Sequence, residues 1–264
     1  MNSLEGSLKM FIDCHAHLDI PNATRVAMKE VIEGAKKKSV THIVGVIGDP
    51  DRYPHYRIQA EFGNIIHVIG IQRGQAMKDH SSMLSLLRKE INARKPHAIG
   101  EIGLEYSSTK NSSVRKRQQE LFRKQIQIAH EYNLPVVIHA GYGTDKDLVT
   151  ILKEERAEDV GGQIHCCRNG LEAIKQILDM GFFLSFGRPH VEEDQLANSV
   201  LYTPVERIHN ETDSPCGLIG DPPRAKLLPE NVVEIAKKLA LMKEMKMTEF
   251  AKRILQNARE VFRF

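Results

Sequence analysis

The sequence predicts a TIM-type (β/α)8 barrel with extra helices at its C-terminal end, and three observations carry that expectation. Eight short apolar runs rich in valine and isoleucine recur along the 264 residues. Stretches with helical spacing separate them, the alternation of a parallel sheet whose outer face is covered by helices. No break in composition divides the chain, so residues 1–264 read as one domain, and about 250 residues is the usual size of such a barrel. An open doubly wound sheet is the competing architecture, but no Gly-x-Gly-x-x-Gly follows a strand to mark a dinucleotide site.

Taken in order, the apolar runs fall at residues 10–15, 42–46, 65–71, 98–102, 135–139, 162–165, 182–185 and 208–211. Each is short enough for a strand and is nearly continuously apolar, as expected of strands buried on both faces. Helical periodicity fills residues 23–38, 51–62, 80–93, 114–132, 145–155, 170–180 and 192–201. Two more helices follow the last strand, at about residues 230–242 and 248–262. Thr248 reads as the N-cap of the second, with Phe250, Ile254, Ala258 and Val261 forming its apolar stripe.

A formal net charge of +3 and a 41% hydrophobic content describe an ordinary soluble globular protein, and charge alone announces no nucleic-acid partner. Four cysteines, Cys14, Cys166, Cys167 and Cys216, lack Cys-x-x-Cys spacing and form no secreted disulfide framework. A reducing cytoplasm is the expected location, with no signal peptide, no membrane partner, and a monomer or small homo-oligomer as the assembly.

In barrels of this kind functional side chains stand at the C-terminal ends of the strands. There the chain carries His15 and His17 after the first run, Glu101 in the fourth, His139 after the fifth, His165 after the sixth and Asp213 past the eighth. Residues two apart on a strand share a face, which puts Asp13, His15 and His17 together. One catalytic Zn²⁺ needs about three protein ligands, so four histidines and two carboxylates suggest two divalent ions. Two ions about 3.5–4 Å apart share a bridging carboxylate and activate a hydroxide for attack on a phosphoryl or acyl centre. Mixed imidazole and carboxylate ligation suits Zn or Mn, with Mg a further candidate when phosphate oxygens complete its shell.

Asp13-Cys14-His15-Ala16-His17, Gly100-Glu101-Ile102-Gly103-Leu104, Leu134-Pro135-Val136-Val137-Ile138-His139, His165-Cys166 and Glu211-Thr212-Asp213-Ser214-Pro215 resemble, in order, the five signatures of the TatD family of metal-dependent hydrolases. The tail Asn257-Ala258-Arg259-Glu260-Val261-Phe262 is similar to the closing helix of that family. The resemblance implies a distorted TIM barrel of the amidohydrolase-like kind and, for many members, deoxyribonuclease activity on phosphodiester bonds. It implies that His15, His17 and Asp213 hold a first metal and His139 and His165 a second, with Glu101 bridging and Asp213 orienting or deprotonating the attacking water. Related barrels often bridge their metals with a modified lysine; the fourth run here has none, and Glu101 fills the place.

Departures from the family pattern fall on the substrate side. Gly70-Ile71-Gln72-Arg73-Gly74 replaces Gly-x-His-Pro, Glu105 stands for the usual aspartate, and Ala140-Gly141-Tyr142 follows His139 where the family has Arg-Asp. Cys167 replaces an aromatic, and Pro229-Glu230-Asn231 recasts an Asn-Glu-Pro. Candidate substrate contacts are Arg73, Glu105, Arg188 and Arg224, the arginines because a guanidinium fork suits phosphate. The leading expectation is a metal-dependent phosphodiesterase acting on DNA. The alternative is an ester or amide hydrolase acting on a small molecule or an aminoacyl-tRNA, in the manner of a D-aminoacyl-tRNA deacylase. A non-enzymatic metal-binding protein is the third, disfavoured because a purely structural site gains nothing from six ligands and an open position.

Overall fold

The computed structural model describes residues 10–18, 25–215 and 227–264, the side chains of residues 25 and 26 excepted. Eight parallel strands form one sheet in the order of the sequence. They run β1 (Phe11–Ala16), β2 (Val40–Ile47), β3 (Ile65–Ile69), β4 (Ala98–Leu104), β5 (Val136–Ala140), β6 (Gly162–His165), β7 (Phe183–Phe186) and β8 (Ile208–Asn210). Every residue of β1, β3, β4, β6, β7 and β8 is buried, which is why these segments read as continuous rather than alternating apolar runs. The eight expected strands and the eight observed ones coincide, with boundaries moved by a few residues at most.

The outer layer holds α1 (Arg25–Lys37), α2 (Tyr56–Gln59), α3 (His80–Arg94), α4 (Ser112–Tyr132), α5 (Asp145–Glu154), α6 (Leu171–Asp179), α7 (Arg188–Glu192) and α8 (Asp194–Tyr202), followed by α9 (Val232–Met242) and α10 (Met247–Phe262). Three details correct the sequence reading. The helix expected over residues 51–62 is a 3-10 segment, Pro50–His55, followed by the single turn of α2. Pro54 lies inside it, and a proline there removes a donor and clashes with the preceding turn. The helix expected at residues 192–201 is α8, which starts at Asp194; a short helix that the sequence did not suggest, α7, precedes it, with Glu193 extended (φ −112°, ψ 113°) between them. Thr248 is not the N-cap of α10: Lys246 takes that place, extended at φ −65° and ψ 138°, and Thr248 lies in the first turn.

Closure of the barrel is uneven, and the unevenness bears on the site. β1 and β8 form no continuous ladder; a single parallel bridge joins Ala16 to Ser214. At that upper end His17 N donates to Ser214 O (2.7 Å) and Asp213 N donates to His15 O (3.0 Å). Asp13 adds a side-chain strut, its Oδ1 accepting from Thr212 N at 2.9 Å and its Oδ2 from the Thr212 hydroxyl. Lower down, α9 and α10 lie across the seam against β1 and β8. Asn257 of α10 donates its amide to Val205 O (2.9 Å), just before β8, and to Ile208 O (2.7 Å) within it, tying the helix to that edge strand. Phe250, Ile254, Ala258 and Val261 are buried, as their spacing predicts. No described helix is long and apolar enough to cross a membrane.

Candidate metal centre

The six residues marked by the sequence converge at the C-terminal end of the barrel. β1 supplies His15, and His17 follows it by two positions, so the imidazoles meet with Nε2 atoms 3.3 Å apart. β4 supplies Glu101, 2% exposed. β5 and β6 pair with His139 beside His165, bringing His139 Nδ1 to 3.0 Å from His165 Nε2. Asp213 is set by the seam: its N–H is held by His15 O, and its backbone lies in the left-handed region (φ 54°), which aspartate tolerates better than most residues.

Glu101 is the hub. Its Oε2 lies 3.3 Å from His17 Nε2, and its Oε1 lies 3.2 Å from His139 Nδ1 and 3.4 Å from His165 Nε2. Asp213 Oδ1 stands 3.5 Å from His17 Nε2 and 3.8 Å from His15 Nε2. Among the described residues three groups each offer three ligand atoms within 4.8 Å of one another: His15, His17 and Glu101; Glu101, His139 and His165; and His15, His165 and Glu211. Glu101 belongs to the first two. Imidazole nitrogens facing each other at 3.0–3.3 Å repel as lone pairs or as N–H groups unless a proton or a cation lies between them. Four imidazoles and two carboxylates converging in this way are chemically suited to divalent cations.

The electrostatics divide the two carboxylates. Burial works against ionisation of Glu101, yet the Arg73 guanidinium and hydrogen bonds from His139, His165 and His17 hold its carboxyl well below the usual range. Asp213 goes the other way: burial raises it, partly opposed by His165 and His17 and reinforced by Glu211 and Glu101. Among the described residues, it is Glu101 that has a guanidinium beside it, that of Arg73. Burial disfavours the protonated form of His15, an effect strengthened by His165 and His17. It also opposes protonation of His165, but there the Glu101 and Glu211 carboxylates prevail and carry the pKa up to about 10.

The residues singled out as substrate contacts sit in different settings. Arg73 reaches in from the turn after β3 and pairs with Glu101. Glu105 Oε2 lies 3.1 Å from His139 Nε2 while its Oε1 accepts from Ser107 N at 2.8 Å, and the hydrogen bond from His139 brings its carboxyl down to about 2. With Glu105 on Nε2, His139 has Nδ1 left for the centre. Arg188, at the start of α7, donates Nε to Glu192 at 2.8 Å. Arg224 lies outside the described residues. Cys14 and Cys167 are fully buried and Cys166 partly so, none of them in a disulfide.

Sequence reasoning passed over Glu211. It is fully buried and stands 3.5 Å from His165 Nδ1 through Oε1. Period-two alternation past β8 was the available signal, since it places Glu211 on the same face as Asp213.

A family model described as TatD related DNase matches residues 12–263. The chain is 37% identical over 258 residues to the metal-dependent hydrolase YabD of Bacillus subtilis, covering 96% of this chain and 99% of that protein. It is 26% identical over 265 residues to the human deoxyribonuclease TATDN3, covering 95% and 94% respectively. Among solved structures, the TatD homologue YJJV of Escherichia coli superposes with a TM-score of 0.87 at 22% identity, over 97% of this chain and 99% of that one. That last likeness speaks to the fold.

Proposed function

Since the chain belongs to the TatD-related DNase family and is a metal-dependent hydrolase, we propose that it cleaves phosphodiester bonds in DNA by water attack at a pair of divalent ions. The observation that carries the two-ion reading is the sharing of Glu101 between two three-residue ligand groups. His15, His17 and Asp213 would hold one ion and His139 and His165 the other, with Glu101 bridging; Zn, Mn and Mg are the candidates. When bound, such ions lower the pKa of a coordinated water to about 7 and neutralise charge on the phosphate.

The chain's own residues do the rest. Asp213, whose side chain is 23% exposed beside His15 and His17, would orient the attacking water or accept its proton. Glu101 is held ionised by Arg73 and so keeps the negative charge that bridging requires. Glu105 fixes His139 through its second nitrogen. Arg73 brings a guanidinium to the centre, and that fork suits a phosphate oxygen. Arg188 and Arg224 are further proposed phosphate contacts. The human relative's name as a deoxyribonuclease supports DNA as the substrate.

The test is to strip the purified protein of metal, reload it with Mn²⁺, Zn²⁺ or Mg²⁺, and assay single-stranded, nicked and duplex DNA. Metal-dependent degradation, lost in His139→Ala and Glu101→Ala, is the expected result. Metal-replete protein that leaves every DNA intact refutes the nuclease reading, and turnover of esters or mischarged tRNA by the same preparation would transfer the activity to acyl chemistry.

A further inference from the structure

Behind the ligand ring lies a second layer that the reading above does not use. His15 and His165 stack face to face, ring centroids 3.9 Å apart and planes within 11°. Their Nε2 atoms face the centre: His15 Nε2 towards His17 and Asp213, His165 Nε2 towards Glu101 and His139. The Nδ1 atoms of both are buried, and neither has a hydrogen-bond partner among the described residues. Both carboxylate oxygens of Glu211 are in the same condition. Glu211 Oε1 stands 3.5 Å from His165 Nδ1, and a ligand atom from each of His15, His165 and Glu211 lies within 4.8 Å of the other two.

The inventory closes on itself. Two buried ring nitrogens need a partner, and so do two buried carboxylate oxygens, all in one place. Burying a carboxylate without hydrogen bonds is costly, so a native protein rarely keeps one idle. An imidazole that ligates metal through Nε2 carries its proton on Nδ1, and that N–H needs an acceptor. Resting on the two-ion reading, we propose that Glu211 is a positioning residue shared between the two metal positions. Its carboxylate accepts the Nδ1–H of both His15 and His165, one histidine from each proposed ion. Glu211 thereby fixes both rings in the tautomer that presents Nε2 inward, and one buried carboxylate sets the affinity of both ions.

The proposal is tested on the full chain in two measurements. The first is NMR of ¹⁵N-histidine-labelled wild-type protein, which reports the tautomer of each ring. His15 and His165 should both carry the proton on Nδ1, whereas Nε2–H on either ring in the metal-loaded protein overturns the assignment whether or not any variant folds. The second is competition of Zn²⁺ and Mn²⁺ against a chelating indicator, for wild type and Glu211→Gln, with circular dichroism confirming the barrel. Glutamine keeps one acceptor oxygen but carries no charge and turns the other oxygen into an NH2 donor, so both Nδ1–H groups lose a charged acceptor and both ions should bind about 10–100-fold more weakly in the variant, the usual effect of losing such a partner. Affinities within about twofold of wild type overturn the proposal. Weakening of one ion alone overturns the sharing. A drop in the number of ions bound makes Glu211 a ligand instead of a positioning residue, and also overturns it. Wild-type protein that takes up one ion refutes the two-ion reading separately, and the Nδ1–H resonances of His15 and His165, which should both move in Glu211→Gln, still decide whether Glu211 holds them; resonances that stay in place overturn the proposal.

Discussion

Replacing Gly103 by alanine should displace a candidate ligand through the backbone alone. Gly103 has φ +127°, and a methyl group built on it would stand 2.1 Å from His139 O, 3.1 Å from His139 C and 3.2 Å from His139 N. The obstacle is main chain in the β4–β5 ladder, where Gly103 is paired with His139, so no flexible side chain can swing aside. Holding a non-glycine residue in such a conformation costs about 1–3 kcal/mol, and relieving the overlap costs about 1–3 kcal/mol more. The sum, about 2–6 kcal/mol, is a large part of the about 5–15 kcal/mol that holds a typical domain folded. Relief must push β5 away at His139, whose Nδ1 stands 3.2 Å from Glu101 Oε1. A shift of about 1 Å at a catalytic group is worth about 10²-fold in rate. Urea unfolding of wild type and Gly103→Ala, paired with the metal-dependent hydrolysis assay, measures both effects. A variant within about 0.5 kcal/mol of wild type and with undiminished hydrolysis would refute the reasoning, because that is the behaviour of an innocuous surface change.

Three other expectations follow from the same geometry. Glu105→Gln should weaken metal binding by about 10–100-fold, since it alters the partner of His139 Nε2, and isothermal titration with Zn²⁺ would show it; unchanged affinity would make Glu105 a bystander. Acid should destabilise the fold through two histidines remote from the centre. Burial, with a smaller effect of His97, lowers His67 to about 4, and burial lowers His209 to about 4. Both folded pKa values are depressed from 6.5, so the stability each contributes is present above pH 6.5 and is lost as pH falls towards 4, when the unfolded chain binds the proton first. Between pH 7 and pH 5 each should remove about 2 kcal/mol; chemical denaturation should show that slope, reduced in His209→Gln, and a flat profile would sink the prediction. Finally, removal of divalent ions with a chelator should abolish hydrolysis and lower the melting temperature. Reloading should restore both, because ions that bind only the native site stabilise it by mass action. Hydrolysis that survives complete chelation would argue against the metal-dependent scheme.

Much of this molecule is legible without coordinates because its signals are local. The apolar runs ending in His15, His139 and His165 mark strands whose polar ends share one side of a barrel, a consequence of parallel topology that holds wherever each strand is followed by a helix. The order of the motifs carries the family, and with it the candidate ligand residues. Local chemistry also explains the errors: Pro54 breaks a pattern that periodicity alone reads as one helix, and Thr248, a good capping residue by type, sits two positions into α10.

Distances between strands are a different matter, since they depend on pairing register and on side chains far apart in sequence. That Glu101 lies between His17 and the His139–His165 pair follows from register across β4, β5 and β6. That Arg73 pairs with Glu101 while Arg188 pairs with Glu192 distinguishes two arginines that look alike in the sequence. The seam between β1 and β8 decides where Asp213 stands, through Asp13, Thr212 and the carbonyl of His15. Residue type and period are properties of short segments, and they sufficed for the barrel and the six metal-ligating candidates. Only the tertiary structure decided which atoms of those residues face inward and which buried group stands behind them, because burial and hydrogen bonding are settled by what lies across the barrel.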